Sequence, residues 1–370
     1  MNTPHKLIVI YGAGAIGRGF MPWVFSPDTH DLFFVEKNES LREALVAARR
    51  YKTYKTVAGK YEVLDVPVAA CYAPGEESDA IRKAHAVVTA VGPRNVLAIA
   101  EALKGTTMPI LCCENDPASA EALLMVTGNP NVVFAVPDVI TSNTASPEIQ
   151  QEDTLGIVTE NGICYADEGA SSAGGACTYI SAAELARQWM AKLYLHNTPH
   201  CIVAYLGSLL SVKYIHEAMS LAAGSEVVAG AMHEMQETLV KTAKLDKAFS
   251  TWYADKELAR FSNALLFDPV SRVAREPFRK LAPNERLLGA AQLCLSAGVY
   301  PKYLMMGIMA AFFYDNPKDN DANIRYVADA LLPKDFLRIV MGLEPHEALS
   351  RLLLTEWEGN SAFLKNLSLV

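Results

Sequence analysis

A lysine, an amide and a histidine fall within nine residues of one apolar, helix-like run, as Lys192, Asn197 and His200. These types suit the interconversion of an alcohol and a carbonyl. That reaction needs a group to move the hydroxyl proton and donors to hold a developing oxyanion. A lysine buried against an apolar or cationic wall has its pKa drawn towards neutrality and can serve as the base. Asn197 would donate to the oxyanion, and His200 would hydrogen-bond the substrate or orient the lysine. Thr198 followed by Pro199 predicts an N-cap and a first helical position, so one helix is expected to end and another to begin here. Such a junction can aim three polar side chains into one cleft. From spacing alone a solvated helix end with a capped terminus is the plainer reading, and both readings stand at this point. His196 and His200 are four residues apart and share a helix face, but no third ligand and no His-Glu-x-x-His accompanies them. No metal site is expected.

The second constellation lies near the N-terminus. Lys6 to Tyr11 is a continuous apolar run after its first residue, the pattern of a buried parallel strand. Gly12, Gly14 and Gly17 follow at once as Gly-x-Gly-x-x-Gly, with Ala15 and Ile16 inside the motif. The first glycine permits a tight turn, the second lets backbone approach a pyrophosphate, and the third lets helix and strand pack closely. The phosphates would sit on the N–H groups that open the helix. Pro22 falls early in that helix and predicts a kink or a short helix. Asp31 to Val35 reads as the second strand. Glu36 ends it, nineteen residues after Gly17, where a carboxylate accepts from ribose hydroxyls. It would also repel a 2′-phosphate, so NAD is expected over NADP, with Lys37 and Arg18 acting weakly against that preference. A Rossmann-like methyltransferase uses similar glycines and an acidic strand end, and is the competing reading of this stretch.

Around these two constellations the chain reads as an α/β N-terminal Rossmann domain followed by an all-α C-terminal domain. Further strands are expected at Tyr61 to Ala70, Ala86 to Val91, Met108 to Cys113 and Asn131 to Val136, giving a six-stranded, mostly parallel sheet. Val91 and Gly92 turn out of one strand end, towards the crevice where ligands bind in such sheets. Asn115 and Asp138 sit at two other strand ends, where the plain reading of each is a turn residue. Asn143 to Gly175 is read as a strand pair or an irregular connection. From Ser181 onward the spacing is helical: Ala182 to Leu195, Pro199 to Ala223, Val227 to Leu245, Ala248 to Phe261, Asn284 to Ala297, Tyr303 to Tyr314, Asn320 to Leu332 and Pro345 to Trp357. The expected domains are 1–180, with 143–180 as the connection, and 181–370.

Bulk properties narrow the class. A net charge of −8 with no basic tail argues against nucleic-acid binding. No apolar run reaches the ~18–20 residues of a membrane span, and the N-terminus shows no signal-peptide pattern. A cytoplasmic protein is expected. Seven cysteines, odd in number and scattered, do not form a disulfide framework.

Several strings together resemble the polyol-specific long-chain dehydrogenases. They are the run Gly12 to Phe20, Thr89-Ala90-Val91-Gly92-Pro93, Cys113-Glu114-Asn115, and Lys192-x4-Asn197-x2-His200-x3-Ala204-Tyr205-Leu206-Gly207. Arg260-Phe261-Ser262-Asn263 and the stretch Asp268 to Leu281 extend the match to nearly the whole chain. The last stretch is more like the branch that acts on a polyol phosphate. The resemblance implies a metal-independent, NAD-dependent enzyme interconverting mannitol 1-phosphate and fructose 6-phosphate at C5 of the sugar. It makes Lys192 the general base, Asn115 and Asn197 the oxyanion donors, and His200 a substrate-site residue. It places Asn115, Val91 and Gly92 beside the cofactor, and Asp138, Arg260, Asn263, Arg275, Arg279 and Lys280 around the substrate, which would lie between the domains. It mildly favours a monomer.

Two departures bear on substrate choice: where the family commonly reads Val-Asp-Arg-Ile, this chain has Pro137-Asp138-Val139-Ile140, and the family's connection after that point is longer and more regular than Asn143 to Gly175. The basic run Arg272, Arg275, Arg279 and Lys280 suits a phosphate, since guanidinium forks grip oxyanions. The plainer reading is a surface basic face paired with Glu276 and Glu285. Another acyclic polyol or ketose, a hexuronate or a conjugated sugar is the alternative substrate, and a non-catalytic NAD-binding protein the alternative function.

Overall fold

Ile8, Val9, Ile10 and Tyr11 are all buried on strand β1 (Lys6–Tyr11), as expected of a central strand covered on both faces. The structure is a computed structural model and describes residues 4–316, 319 and 323–367. The other strands are β2 (His30–Val35), β3 (Arg50–Val57), β4 (Lys60–Pro67), β5 (Ala70–Tyr72), β6 (Ala86–Thr89), β7 (Ile110–Cys112) and β8 (Val132–Asp138). They are followed by β9 (Thr141–Ser142), β10 (Ile157–Glu160), β11 (Ile163–Asp167) and β12 (Cys177–Ile180). The main sheet runs β12-β11-β8-β7-β6-β1-β2-β5. Its β5-β2-β1-β6-β7-β8 portion is parallel throughout, with the crossover at β1 that characterises a Rossmann sheet. β11 pairs antiparallel with β8 and β12 parallel with β11, so the six expected strands become eight.

A second sheet, β4-β3-β10-β9, was not expected. The anticipated strand from Tyr61 to Ala70 divides: β4 enters this second sheet, and only Ala70–Tyr72 joins the parallel one. β3 and β4 form a hairpin closed by Ala58 and Gly59, both at positive φ (48° and 76°). Two positive φ values make the turn whose twist matches a hairpin, usually written Asn-Gly; alanine in the first place hid it. The stretch from Asn143 to Gly175 is ordered. It holds a helix at Pro147–Glu152 capped by Ser146, then β10 and β11, which enter different sheets rather than pairing with each other.

Two units emerge, residues 1–188 with Leu265–Phe267, and 189–264 with 268–370. In the first, Tyr61 Oη donates to the Leu265 carbonyl at 2.6 Å and Thr144 Oγ1 to the Phe267 carbonyl at 2.9 Å. The second is helical. Its central helix, Thr198–Leu209, is buried at every position except Ser208. The Ala222–Lys241 and Lys302–Phe312 helices and the short Val270–Ala274 turn pack on it. A Cβ at Gly307 would lie 2.4 Å from Ile202 Cγ1, so the glycine permits the close approach of Lys302–Phe312. The helix expected from Pro199 to Ala223 breaks after Leu209, where Ser211 has a φ of 56°, and resumes at Ile215–Ser220. Among the described residues no helix is long and apolar enough to cross a membrane.

Candidate active site

The glycine motif opens directly from β1. Gly12 has a φ of 91°, and a Cβ there would sit 2.4 Å from the Ala90 carbonyl oxygen. A Cβ at Gly17 would come within 1.9 Å of the Gly12 carbonyl oxygen. Both positions therefore exclude side chains. At Gly14 nothing lies within 4 Å of where a Cβ would be, so the loop's face is open there. Ala15, Ile16 and Gly17 begin a π-helical turn, Ala15–Phe20, continued by one α-turn, Met21–Val24. The first helix is thus short, as Pro22 implied. A tight, side-chain-free turn whose N–H groups head a helix fits a pyrophosphate.

Glu36 is buried at the end of β2 and accepts from Ala13 N and Asn38 N, each at 2.8 Å. A carboxylate has lone pairs to spare beyond these two bonds. Lys37 is exposed. Arg18 is turned inward: its Nε donates to the Ala13 carbonyl at 3.2 Å, its Nη1 to the Leu155 carbonyl, and Tyr51 Oη to its own carbonyl. It braces the loop against the second sheet, which corrects the expectation that it acts on cofactor choice.

The N–H groups of Val91 and Gly92 are held by a residue whose role the sequence left unassigned. Glu114 Oε1 accepts from Val91 at 2.9 Å and Oε2 from Gly92 at 2.8 Å. Burial pushes the Glu114 carboxyl up, against these bonds and one from Thr89. The signal was its place in the Cys113-Glu114-Asn115 string. Asn115 follows in a bend with an exposed side chain. Asp138 closes β8, buried opposite Ile163. Val139, next to it, belongs to the apolar core of this unit and lies against Gly162, where a Cβ would come 2.5 Å from its own. An arginine head could not be solvated in that position.

In the helical unit no junction forms between Asn197 and Pro199. Ala191, Asn197 and Thr198 all have right-handed helical φ and ψ. The Ala182–Ala191 helix passes through a π-helical turn, Lys192–Asn197, straight into Thr198–Leu209. Pro199 has no N–H, and in a regular α-helix its ring would press on the Leu195 carbonyl. The wider turn relieves that, and such turns recur at functional sites. Thr198 is no N-cap: its Oγ1 lies 3.1 Å from the Leu193 carbonyl and 2.7 Å from that of Arg286.

The turn buries Lys192, His196 and Asn197, and His200 follows buried one turn on. Asn197 Nδ2 is buried and has no acceptor among the described residues. An interior donor left unpaired costs about 1–3 kcal/mol. His200 Nε2 lies 2.9 Å from Asp268 Oδ2, and its ring stacks on Phe261 at 5.0 Å. Burial alone would raise the Asp268 carboxyl, but Arg272 and His200 hold it below the usual range. His196 Nδ1 lies 2.5 Å from Oε2 of the fully buried Glu257, and its ring is 5.1 Å from that of His200. Glu257 also pairs with Arg260 and, at 3.3 Å, with Lys256. Asn263 donates its backbone N–H to the Arg260 carbonyl. Among the described residues no group of three or more His, Cys, Asp or Glu is arranged to hold a metal ion.

The basic run is only partly open. Arg272 Nε is 2.7 Å and Nη2 2.6 Å from Asp268 Oδ1. Arg279 pairs with Glu276 at 2.8 Å and Glu285 at 3.4 Å, the plainer of the two readings of that run. Pro277 does break it, into Val270–Ala274 and Pro277–Lys280. Arg275 is exposed, whereas Lys280 is buried and donates to the Val273 carbonyl.

Residues 6–161 match the mannitol dehydrogenase Rossmann domain and residues 186–352 the mannitol dehydrogenase C-terminal domain. A mannitol-1-phosphate 5-dehydrogenase of Thermoanaerobacter pseudethanolicus is 31% identical over 342 residues, 85% of this chain and 87% of its own. That of Brevibacillus brevis is 30% identical over 344 residues, 85% of this chain and 88% of its own. Among solved structures, the Pseudomonas fluorescens mannitol 2-dehydrogenase, in ternary complex with NAD and D-mannitol, shares the fold. It has a TM-score of 0.71 at 14% identity, over 98% of this chain and 94% of that one. The chain belongs to the mannitol dehydrogenase family of polyol dehydrogenases.

Proposed function

We propose that this protein is an NAD(H)-dependent oxidoreductase that interconverts mannitol 1-phosphate and fructose 6-phosphate. The observation that carries the reading is the unpaired Asn197 amide, buried in one turn with Lys192 and followed by His200. A buried donor without an acceptor is what an oxyanion site looks like before its ligand arrives. The curated relatives named above carry that activity in their names.

A bound nicotinamide dinucleotide supplies the hydride acceptor or donor. Lys192 takes the hydroxyl proton of the substrate during oxidation and returns it to the carbonyl oxygen during reduction. Asn197 and Asn115 donate to that oxygen as charge develops on it. Asp268, kept ionised beside Arg272, holds the proton of His200 on Nε2. His200 then presents Nδ1 as an acceptor to a substrate hydroxyl. Glu36 supports NAD over NADP, because it would face a 2′-phosphate with a like charge, and Arg18 is engaged elsewhere. Asp138, Arg260, Asn263, Arg275 and Lys280 are proposed substrate neighbours. The ion pairs of Arg279 with Glu276 and Glu285 favour a second reading, the same chemistry on an unphosphorylated acyclic polyol or ketose.

Steady-state assays with NADH and NADPH against fructose 6-phosphate, fructose and a keto-hexuronate test this. Turnover of fructose 6-phosphate with NADH is expected, with kcat/KM about a hundredfold lower with NADPH. NADH binding without turnover of any ketose would leave only a non-catalytic dinucleotide-binding protein.

A further inference from the structure

Among the other buried donors of the helical unit without a hydrogen-bond acceptor among the described residues, two lie near Asn197. Arg286 is less than a tenth exposed; its Nε has no hydrogen-bond acceptor and only a long ion pair with Glu285, at 3.6 Å. Tyr205 is fully buried on the Thr198–Leu209 helix, and its hydroxyl has no oxygen or nitrogen partner, only the Cys201 thiol beside it. Both are near the catalytic turn. The Arg286 carbonyl accepts from Thr198 Oγ1, the residue after Asn197. Tyr205 lies on the same helix as His200, and Lys280 Nζ is 5.7 Å from its ring centre. Burial lowers the Lys280 ammonium to about 7; the cations Arg286 and Arg279 add to this, and Cys201 and Glu276 oppose it.

The two guanidiniums that the basic run offers first are engaged: Arg272 with Asp268, and Arg279 with Glu276 and Glu285. Arg275, the remaining guanidinium of the run, is exposed. The buried donors without a hydrogen-bond acceptor are those of Arg286 and Tyr205, next to a third polar group, Lys280, that gains from any incoming negative charge. A guanidinium N–H without a hydrogen-bond acceptor, near enough to act electrostatically on a buried phenol and a buried ammonium, matches a ligand group with several anionic oxygens. We propose that Arg286 and Tyr205, beside Lys280, bind the phosphate group of a phosphorylated polyol substrate. This rests on the dehydrogenase reading above and adds to it the site that selects the phosphorylated substrate.

The test compares wild type, Arg286→Gln and Tyr205→Phe with fructose 6-phosphate and with fructose, and adds thermal unfolding with and without inorganic phosphate. Wild type should prefer fructose 6-phosphate. Arg286→Gln should raise KM for it about thirtyfold or more, and Tyr205→Phe about threefold to tenfold. Both should leave kcat/KM for fructose within about twofold. Inorganic phosphate should raise the Tm of wild type and not that of Arg286→Gln. Tyr205→Phe removes a hydroxyl whose one neighbouring partner is the Cys201 thiol, so it should fold even where Arg286→Gln does not. Equal losses on both ketoses, or an unchanged KM for fructose 6-phosphate in Tyr205→Phe, would overturn the assignment. If wild type turns over both ketoses alike, the phosphate site is refuted and the dehydrogenase reading stands. If it turns over neither but phosphate protects through Arg286, the reverse holds.

Discussion

At the scale of single residues, the site is defined by where polar atoms find partners and where they do not. His200 is held through Nε2 by Asp268, so its tautomer is set by a residue that itself touches no substrate in the proposed chemistry. Asp268→Asn removes the charge but keeps the shape. The amide can turn its nitrogen to His200 and place the ring proton on the other nitrogen, while Arg272 loses its ion pair. A fall in kcat/KM of about tenfold to a hundredfold is expected, the worth of one charge-assisted hydrogen bond. The tautomer change should be visible in the imidazole ¹⁵N shifts; unchanged shifts and kinetics would separate Asp268 from the mechanism. That Lys192, Asn197 and His200 lie buried together was legible in the sequence, because they are close along the chain. Glu257, sixty-one residues from His196, and the role of Asp268, sixty-eight from His200, were not, since nothing local encodes a contact at that range.

At the scale of elements, what was legible is what backbone geometry forces. β1, the glycine turn and the acidic end of β2 are written in residues that have few alternatives: a run of buried apolar side chains, then glycines where a Cβ has no room. Gly17→Ala would set a methyl 1.9 Å from the Gly12 carbonyl oxygen. The loop must open to accept it. Loss of measurable NADH binding and a stability loss of about 1–3 kcal/mol are expected, read by fluorescence titration and urea unfolding. Wild-type affinity in that variant would mean that the turn does not carry the cofactor phosphates. What was not legible is what local signals misstate. Thr198-Pro199 is the signature of a helix start, yet the burial of the whole run and the wider π turn keep the helix continuous. Ala58-Gly59 lacks the usual hairpin residues, so the second sheet stayed hidden.

At the scale of the whole molecule, the helical unit carries a buried carboxyl that links stability to pH. Glu234 accepts from Tyr303 N and Leu304 N at 2.8 and 3.0 Å, and so caps the Lys302–Phe312 helix. Burial still pushes it up from 4.5 to about 7. The folded state therefore holds this proton more tightly than the unfolded chain. The stability it contributes is complete below about pH 4.5 and is lost as pH rises through about 7. Glu234→Gln, which cannot ionise, should gain relative to wild type between pH 5 and pH 8 by on the order of 2 kcal/mol. Urea unfolding at the two pH values reads this directly, and an unchanged difference would remove Glu234 from the pH dependence. The overall architecture was legible from the switch between alternating strand and helix signals and purely helical spacing near Ser181. The eight-stranded width of the sheet was not, because β11 returns to pair antiparallel with β8 across a long connection, and β12 then adds to β11.

In the proposed chemistry Lys192 moves the proton, and other residues grip the cofactor. Lys192→Met keeps the bulk and apolar stem of the side chain and removes the amine. Single-turnover reduction of fructose 6-phosphate by NADH, with NADH affinity measured in parallel, tests it most directly. The predicted result is NADH affinity within about threefold of wild type and a chemical step slower by about a thousandfold or more. A chemical step within tenfold of wild type would remove Lys192 from the proton transfer.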